Sequence, residues 1–230
     1  MRILAVDTAS GSGSVAVSDG DDFLAEIATA RRGTHSRYLM ALIDRALQLS
    51  GLGLKEIDGF AVTRGPGSFT GLRIGISTVK GLAWATQKPA VGISSLEALA
   101  VQAAPTSRLI CSMLDARNHE VYFGRYRFVE GRLKRELDEQ AASPAAAIAG
   151  ICETCLFIGD GALKYREMIT NQLGERAIFA LSFQHALRAT AILHLSQLEF
   201  LKNRTDTAAT LVPRYLRKSY AELNKSPKTN

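Results

Sequence analysis

The feature that most constrains this chain is that it makes the same opening statement twice. Residues 2–8 (Arg-Ile-Leu-Ala-Val-Asp-Thr) are an apolar run that closes on Asp7. A Ser/Gly turn follows at 9–13, then a strand pattern at 14–18, an Asp-Gly-Asp turn, and a third strand pattern at 23–29. After Pro105-Thr106-Ser107 the pattern restarts. Residues 109–115 are an apolar run that ends on Asp115. A polar turn at 117–120, a strand at 121–128, a Glu-Gly turn and a strand at 133–137 complete it. Asp115 stands where Asp7 stood. A supersecondary unit repeated once across 230 residues predicts two related halves.

Each half continues as alternating helices and strands. In the first, Leu39, Leu42, Ile43, Ala46 and Leu47 recur at helical spacing, which predicts a helix over 34–49 capped by Thr34 or Ser36 and ended by Gly51 and Gly53. A strand at 59–63, a helix at 69–86, a strand at 90–93 and a helix at 95–103 follow. In the second, an Ala-rich helix at 144–151 precedes a strand at 156–158 and helical patterns at 163–173 and 184–201. The expected fold is α/β, of the tandem RNase-H-like (actin-like ATPase) type, with two related subdomains on central mixed sheets. The expected division is 1–104, a degenerate second copy at 105–213, and a basic tail at 214–230. In that fold the turn after the first strand holds phosphate, and the acid at the strand end manages metal or water.

Asp7, Thr8, Ser10, Gly11, Ser12 and Gly13 occupy that turn. Gly/Ser turns expose N–H groups that favour anions, and ordinary hairpin turns have the same composition. A vestigial phosphate loop and a plain turn are both open. The sharper motif is Arg64-Gly65-Pro66-Gly67-Ser68-Phe69-Thr70-Gly71, which continues through Gly75 and bridges a strand and a helix. Gly65 and Gly67 permit unusual backbone angles, and Ser68 or Thr70 can cap the helix. No Gly-Lys-Ser/Thr follows, so it is not a P-loop. The helix beyond is rich in small residues, which let another helix approach. Packing within the domain is one reading; the favoured one is a partner interface shared with the 34–49 helix. Its candidates are Leu39, Leu42, Ile43, Ala46, Gly75, Thr78, Val79 and Leu82.

No catalytic set and no metal site is expected. None of the four histidines (His35, His119, His185, His194) stands three or four residues from another. Cys152-Glu-Thr-Cys155 is a lone CxxC and lacks two further zinc ligands. Asp115-Ala116-Arg117 mirrors the first turn without its glycines and is expected to be structural, with an internal ion pair. Three cysteines and no apolar run of ~18 residues suggest a reducing, cytoplasmic setting and no membrane. The net charge of +6 permits nucleic-acid contact. Arg214, Arg217, Lys218, Lys225 and Lys228 form either a solvated tail or a contact with RNA or a partner.

Taken in order, the 3–9 run, the Arg64–Gly75 motif, Asp115-Ala-Arg, Glu120-Val-Tyr122 and Pro213-Arg-Tyr-Leu-Arg217 closely resemble the TsaB (YeaZ) family. The resemblance spans residues 3 to about 217, with Pro213-Arg214 where the family often has Glu-Pro. It implies a non-catalytic, cofactor-free paralogue of TsaD, which carries the metal-binding histidine pair that is missing here. Such proteins bind TsaD through helices of the first domain, form homodimers in isolation, and act with the ATPase TsaE. The complex makes N6-threonylcarbamoyladenosine at position 37 of tRNAs reading ANN codons, so tRNA is met indirectly. The alternatives are an ATP-binding or hydrolysing enzyme of the same fold, or an inactive homologue of a metal-dependent protease.

Overall fold

The computed structural model describes residues 1–29, 35–207 and 209–217. Lys218, Lys225 and Lys228, and Thr34 as a cap, lie outside the described residues. The first half contributes β1 (Arg2–Asp7), β2 (Gly13–Asp19), β3 (Asp22–Thr29), α1 (Leu39–Ser50), β4 (Gly59–Gly65), α2 (Phe69–Thr86), β5 (Ala90–Ser94) and α3 (Ser95–Gln102). The second contributes β6 (Leu109–Arg117), β7 (Glu120–Val129), β8 (Arg132–Ala142), α4 (Pro144–Ile148), β9 (Cys155–Ile158), α5 (Asp160–Lys164), α6 (Arg166–Leu173), β10 (Ala177–Phe179) and α7 (Ala189–Leu201).

The repeat is a repeat of topology. The first sheet runs β3-β2-β1-β4-β5 and the second, read from its other edge, β8-β7-β6-β9-β10. In each, the first three strands are antiparallel, the fourth adds in parallel beside the first, and the fifth in parallel beside the fourth. These are two mixed sheets of one plan, the tandem RNase-H-like architecture.

Strand alternation then divides the core. Leu4, Val6, Val15 and Val17 face out of the first sheet, under α1 and α2, and meet Leu39, Ile43, Ala46, Ile76 and Val79. Ile3, Ala5 and Ala16 face the other way, into a central core that also holds Leu96 and Leu99 of α3, Ile110 and Tyr126 of the second sheet, and Ile192 of α7. The helices cross over. α3 packs on β6 and β7, and α7 packs on β1, β2 and β5. A cut at 104 therefore separates the strands of the two sheets but not the units that pack together.

Several elements differ from their expected form. The 34–49 helix becomes a 3-10 turn at His35–Arg37 and then α1, whose N-cap, Tyr38, makes no side-chain cap bond. Ser36 is thus not its cap. The expected 184–201 helix begins at Ala189. Before it, His185 is buried, with its ring nitrogens on the backbone of Gly159 and Ala180, and these contacts hold 182–185 in a 3-10 turn. The Ala-rich helix stops at Ile148, and Gly150 then takes a φ of +74°. β10 was not expected, because three residues carry no readable period.

The interface candidates need a larger correction. Leu39, Ile43, Ala46 and Val79 are core residues, each 2 % exposed or less, and Gly75 is buried. They hold α1 and α2 to the sheet. Leu42, Thr78 and Leu82 are half-buried. The exposed positions are Met40, Ala41, Asp44, Arg45, Gln48 and Leu49 on α1, and, beyond its first turn, Arg73, Ser77, Gly81, Trp84 and Ala85 on α2.

Candidate functional site

The first turn is built around a buried acid. Asp7 has no exposed surface. Its Oδ1 accepts from Ala9 N at 3.0 Å and from Thr63 Oγ1, at the end of β4, at 2.8 Å. Oδ2 is buried without a partner among the described residues. Burial pushes the carboxyl up from 3.8 to about 7, against the opposing pull of the Ala9 and Thr63 hydrogen bonds. Asp115 repeats the local contact, with Arg117 N donating to its Oδ1 at 3.0 Å, but Lys164 Nζ pairs with it at 2.8 Å in water-accessible surroundings. The repeat keeps this one contact, while the turn shortens to Asn118–His119 and the electrostatics change.

The raised Asp7 value sets a pH dependence. Between about pH 4 and 7 the folded chain holds one proton more than the unfolded chain. Asp7's contribution to stability therefore falls as pH rises through that window, by about 1.4 kcal/mol per unit, and levels off above it. Asp7→Asn keeps an acceptor for Ala9 N and Thr63 and loses the titration. Its stability relative to the parent, from urea unfolding, is expected to rise steadily from pH 4 to 7; a constant difference would contradict the assignment.

The glycine-rich motif closes this turn. Ser68 N donates to Ala9 O at 2.7 Å, and Thr8 Oγ1 donates to Gly71 O at 2.8 Å. A Cβ on Gly67 would lie 2.3 Å from Ala9 O, one on Gly71 2.0 Å from Thr8 O, and one on Gly75 2.2 Å from Thr8 Oγ1. Three glycines thus let α2 lie flat on the turn. Ser68, the N-cap, accepts from Gly71 N at 3.3 Å. Ser12 N donates to Ser10 Oγ at 3.3 Å. The N–H groups of Ala9, Ser12, Ser68 and Gly71 are taken by the chain's own acceptors. Gly11 and Gly13 complete the turn, Gly13 already within β2. Gly159 and Gly161 repeat the device in the second half, against Met113 and Leu114.

The closing Pro-Arg-Tyr-Leu-Arg segment crosses from one sheet to the other. Arg214 N donates to Arg64 O at 2.6 Å, and Gly65, at φ +112°, leaves room for Arg214 O. Tyr215 stacks on Phe69 with ring centroids 5.0 Å apart, and Arg73 lies over the other part of that pair, 3.9 Å from the Phe69 centroid. Thr70 is exposed beside them. Arg214 Nη1 then reaches Glu139 of β8 at 2.8 Å, and Arg217 reaches Glu120 of β7 at 2.9 Å. The Glu139 side chain is fully buried and also accepts from Tyr126 Oη at 2.8 Å and from Ser94 Oγ. Arg214→Met takes the nearest cation from that carboxylate. The expected loss is about 2 kcal/mol in urea unfolding, below the cost of breaking a wholly buried pair because Arg214 is 41 % exposed. An unchanged stability would show that the crossing contributes nothing.

Sequence reasoning missed this network, since Glu139 lies in a run of charged residues with no special spacing. The cysteines form no dithiol: Cys152 is exposed, Cys155 is buried beside Cys111, and burial pushes the Cys111 thiol up to about 12. Among the described residues no group of three or more His, Cys, Asp or Glu side chains converges.

Comparison with known proteins matches residues 24–225 to the family model described as TsaD, tRNA N6-adenosine threonylcarbamoyltransferase. The chain is 32 % identical to the tRNA threonylcarbamoyladenosine biosynthesis protein TsaB of Bacillus subtilis, over 96 % of both chains. It belongs to the TsaB (YeaZ) family. The Haemophilus influenzae TsaB is 35 % identical over 94 % of both chains. A solved Pseudomonas aeruginosa protein described as similar to peptidase YeaZ is 27 % identical, with a TM-score of 0.82 over 94 % of this chain and 99 % of that one. The TsaB resemblance thus holds along the chain, and the paralogous TsaD model covers most of it as well. No described helix is long and apolar enough to cross a membrane.

Proposed function

We propose that the chain is a non-catalytic subunit in the formation of N6-threonylcarbamoyladenosine on tRNA. It docks a TsaD-type transferase subunit through the outward face of α1 and α2 and works with a TsaE-type ATPase; tRNA is met through the complex. The observation that carries this reading is the filled first turn. Where the fold's enzymes need open N–H groups for phosphate, this chain spends those of Ala9, Ser12, Ser68 and Gly71 internally. The ATP-hydrolysing alternative would have to pull α2 off Thr8 and Ala9 to make room.

The same helix that fills the turn offers a docking surface on its other side. Ser77, Gly81 and Ala85 point outward, and a Cβ on Gly81 would meet nothing within 4 Å. Met40 of the neighbouring α1 is 55 % exposed. Small outward residues on α2 suit close helix-to-helix approach, and Met40 adds apolar contact area on the helix that packs on the same side of the sheet. Hydrogen–deuterium exchange of the chain with and without TsaD from the same organism tests the placement. New protection is expected on α1 and α2; protection confined to the second sheet would overturn it.

A further inference from the structure

On the flank of α2 away from α1 lies an open pocket of about 330 Å³. Its far wall is formed by Asp206, Thr207 and Leu211. Asp206 N donates to Ala90 O at 2.8 Å, Asp206 Oδ2 accepts from Gly92 N at 2.9 Å, and Leu211, 1 % exposed, is sunk in the first core. That wall therefore runs along the edge of the sheet at β5, whereas α1 covers β2 and β3. The near wall is the last part of α2 and the turn after it: Lys80, Trp84, Gln87 and Lys88.

Trp84 is the chain's single tryptophan, and it is 75 % exposed. A ring of that size is ordinarily mostly buried unless its face has a use. Lys80 has no hydrogen bond or ion pair among the described residues. Among the described residues, Lys88 Nζ pairs with Asp58 alone, at 3.7 Å. The one carboxylate in the lining, Asp206, is already answered by Arg64 at 3.6 Å and by Gly92 N–H. The pocket thus presents an open aromatic face beside uncommitted positive charge. An apolar ligand would leave the Lys80 ammonium unanswered, and a small anion would leave the indole bare. A nucleotide answers both, with its base stacked on the ring and its phosphate on the cation.

We propose that this pocket binds an unstacked nucleotide, with the base on Trp84 and the phosphate on Lys80, backed by Lys88. The nucleotide is either part of a single-stranded RNA or free, and one experiment separates the two. Because Trp84 is the only indole, its fluorescence reports the site alone. The full chain, without any partner protein, is titrated with a short single-stranded RNA of mixed sequence and separately with AMP, over a series of salt concentrations. Saturable quenching is expected, weaker at higher salt. Quenching by RNA alone identifies a strand as the ligand; equal quenching by AMP identifies a free nucleotide. Lys80→Glu is expected to weaken binding and to lower the slope of log affinity against log salt by about one. Trp84→Leu, followed by anisotropy of labelled ligand, is expected to lower affinity roughly 5- to 150-fold. Both positions are on the surface, so circular dichroism should be unchanged. No quenching by either ligand, or quenching that Lys80→Glu leaves untouched, overturns the proposal. Either failure leaves the docking of TsaD on the adjoining outward face of α1 and α2 to its own test.

Discussion

Gly71→Ala is expected to destabilise the chain by about 3 kcal/mol or more, lowering the melting midpoint by roughly 6–12 °C. The added methyl would sit 2.0 Å from Thr8 O, a backbone atom held by β1 and its turn. No rotamer relieves that contact. Either α2 lifts or the turn gives way, and the Thr8 to Gly71 hydrogen bond goes with it. Gly75→Ala meets Thr8 Oγ1 at 2.2 Å and should follow at a smaller cost, since a hydroxyl can rotate. Gly81→Ala, on the same helix, meets nothing and should stabilise by up to about 1 kcal/mol through helix propensity. Opposite signs at glycines within one helix separate close packing from backbone freedom. Thermal unfolding of the three variants measures it, and three similar shifts would contradict the filled turn.

Gly81→Glu is expected to abolish docking on TsaD while leaving the monomer folded. The glutamate enters open solvent in the free chain and would lie in the outward face proposed for docking. An unpaired charge buried there should weaken binding by at least about 2 kcal/mol, roughly thirtyfold. A charge at Gly75 would not make this test, because it would break the core against Thr8 first. Titration calorimetry with TsaD, beside thermal unfolding of the free variant, reads both quantities. Unchanged affinity with unchanged stability would move the docking face elsewhere.

The two glycines also show what the sequence could tell. Period-2 runs and turn residues located the repeat, and Asp7 and Asp115 proved equivalent down to the same carboxylate-to-N–H contact. The glycine-rich motif was visible as a strand-to-helix passage. Its purpose was not, because the carbonyls that Gly67 and Gly71 approach belong to Ala9 and Thr8, far away in the chain. Several interface candidates are core residues for a related reason. Leu39, Ile43, Ala46 and Val79 are legible because they repeat at helical spacing, and an apolar stripe on a helix marks its core side. The outward side is marked by what the stripe omits. Trp84 stands seven residues after Ser77 and so shares its face, which helical spacing could have shown. In sequence the tail reads as charge and as the last stretch of the family resemblance. Arg214 is instead a crossing between the sheets, fixed by a buried carboxylate that no local pattern announces.

The docking claim is tested most directly by size-exclusion chromatography with light scattering on the full chain, alone and mixed with TsaD from the same organism. A stable one-to-one species that replaces any homodimer is the predicted result. Two species that elute independently, with nucleotide and TsaE also present, would contradict it.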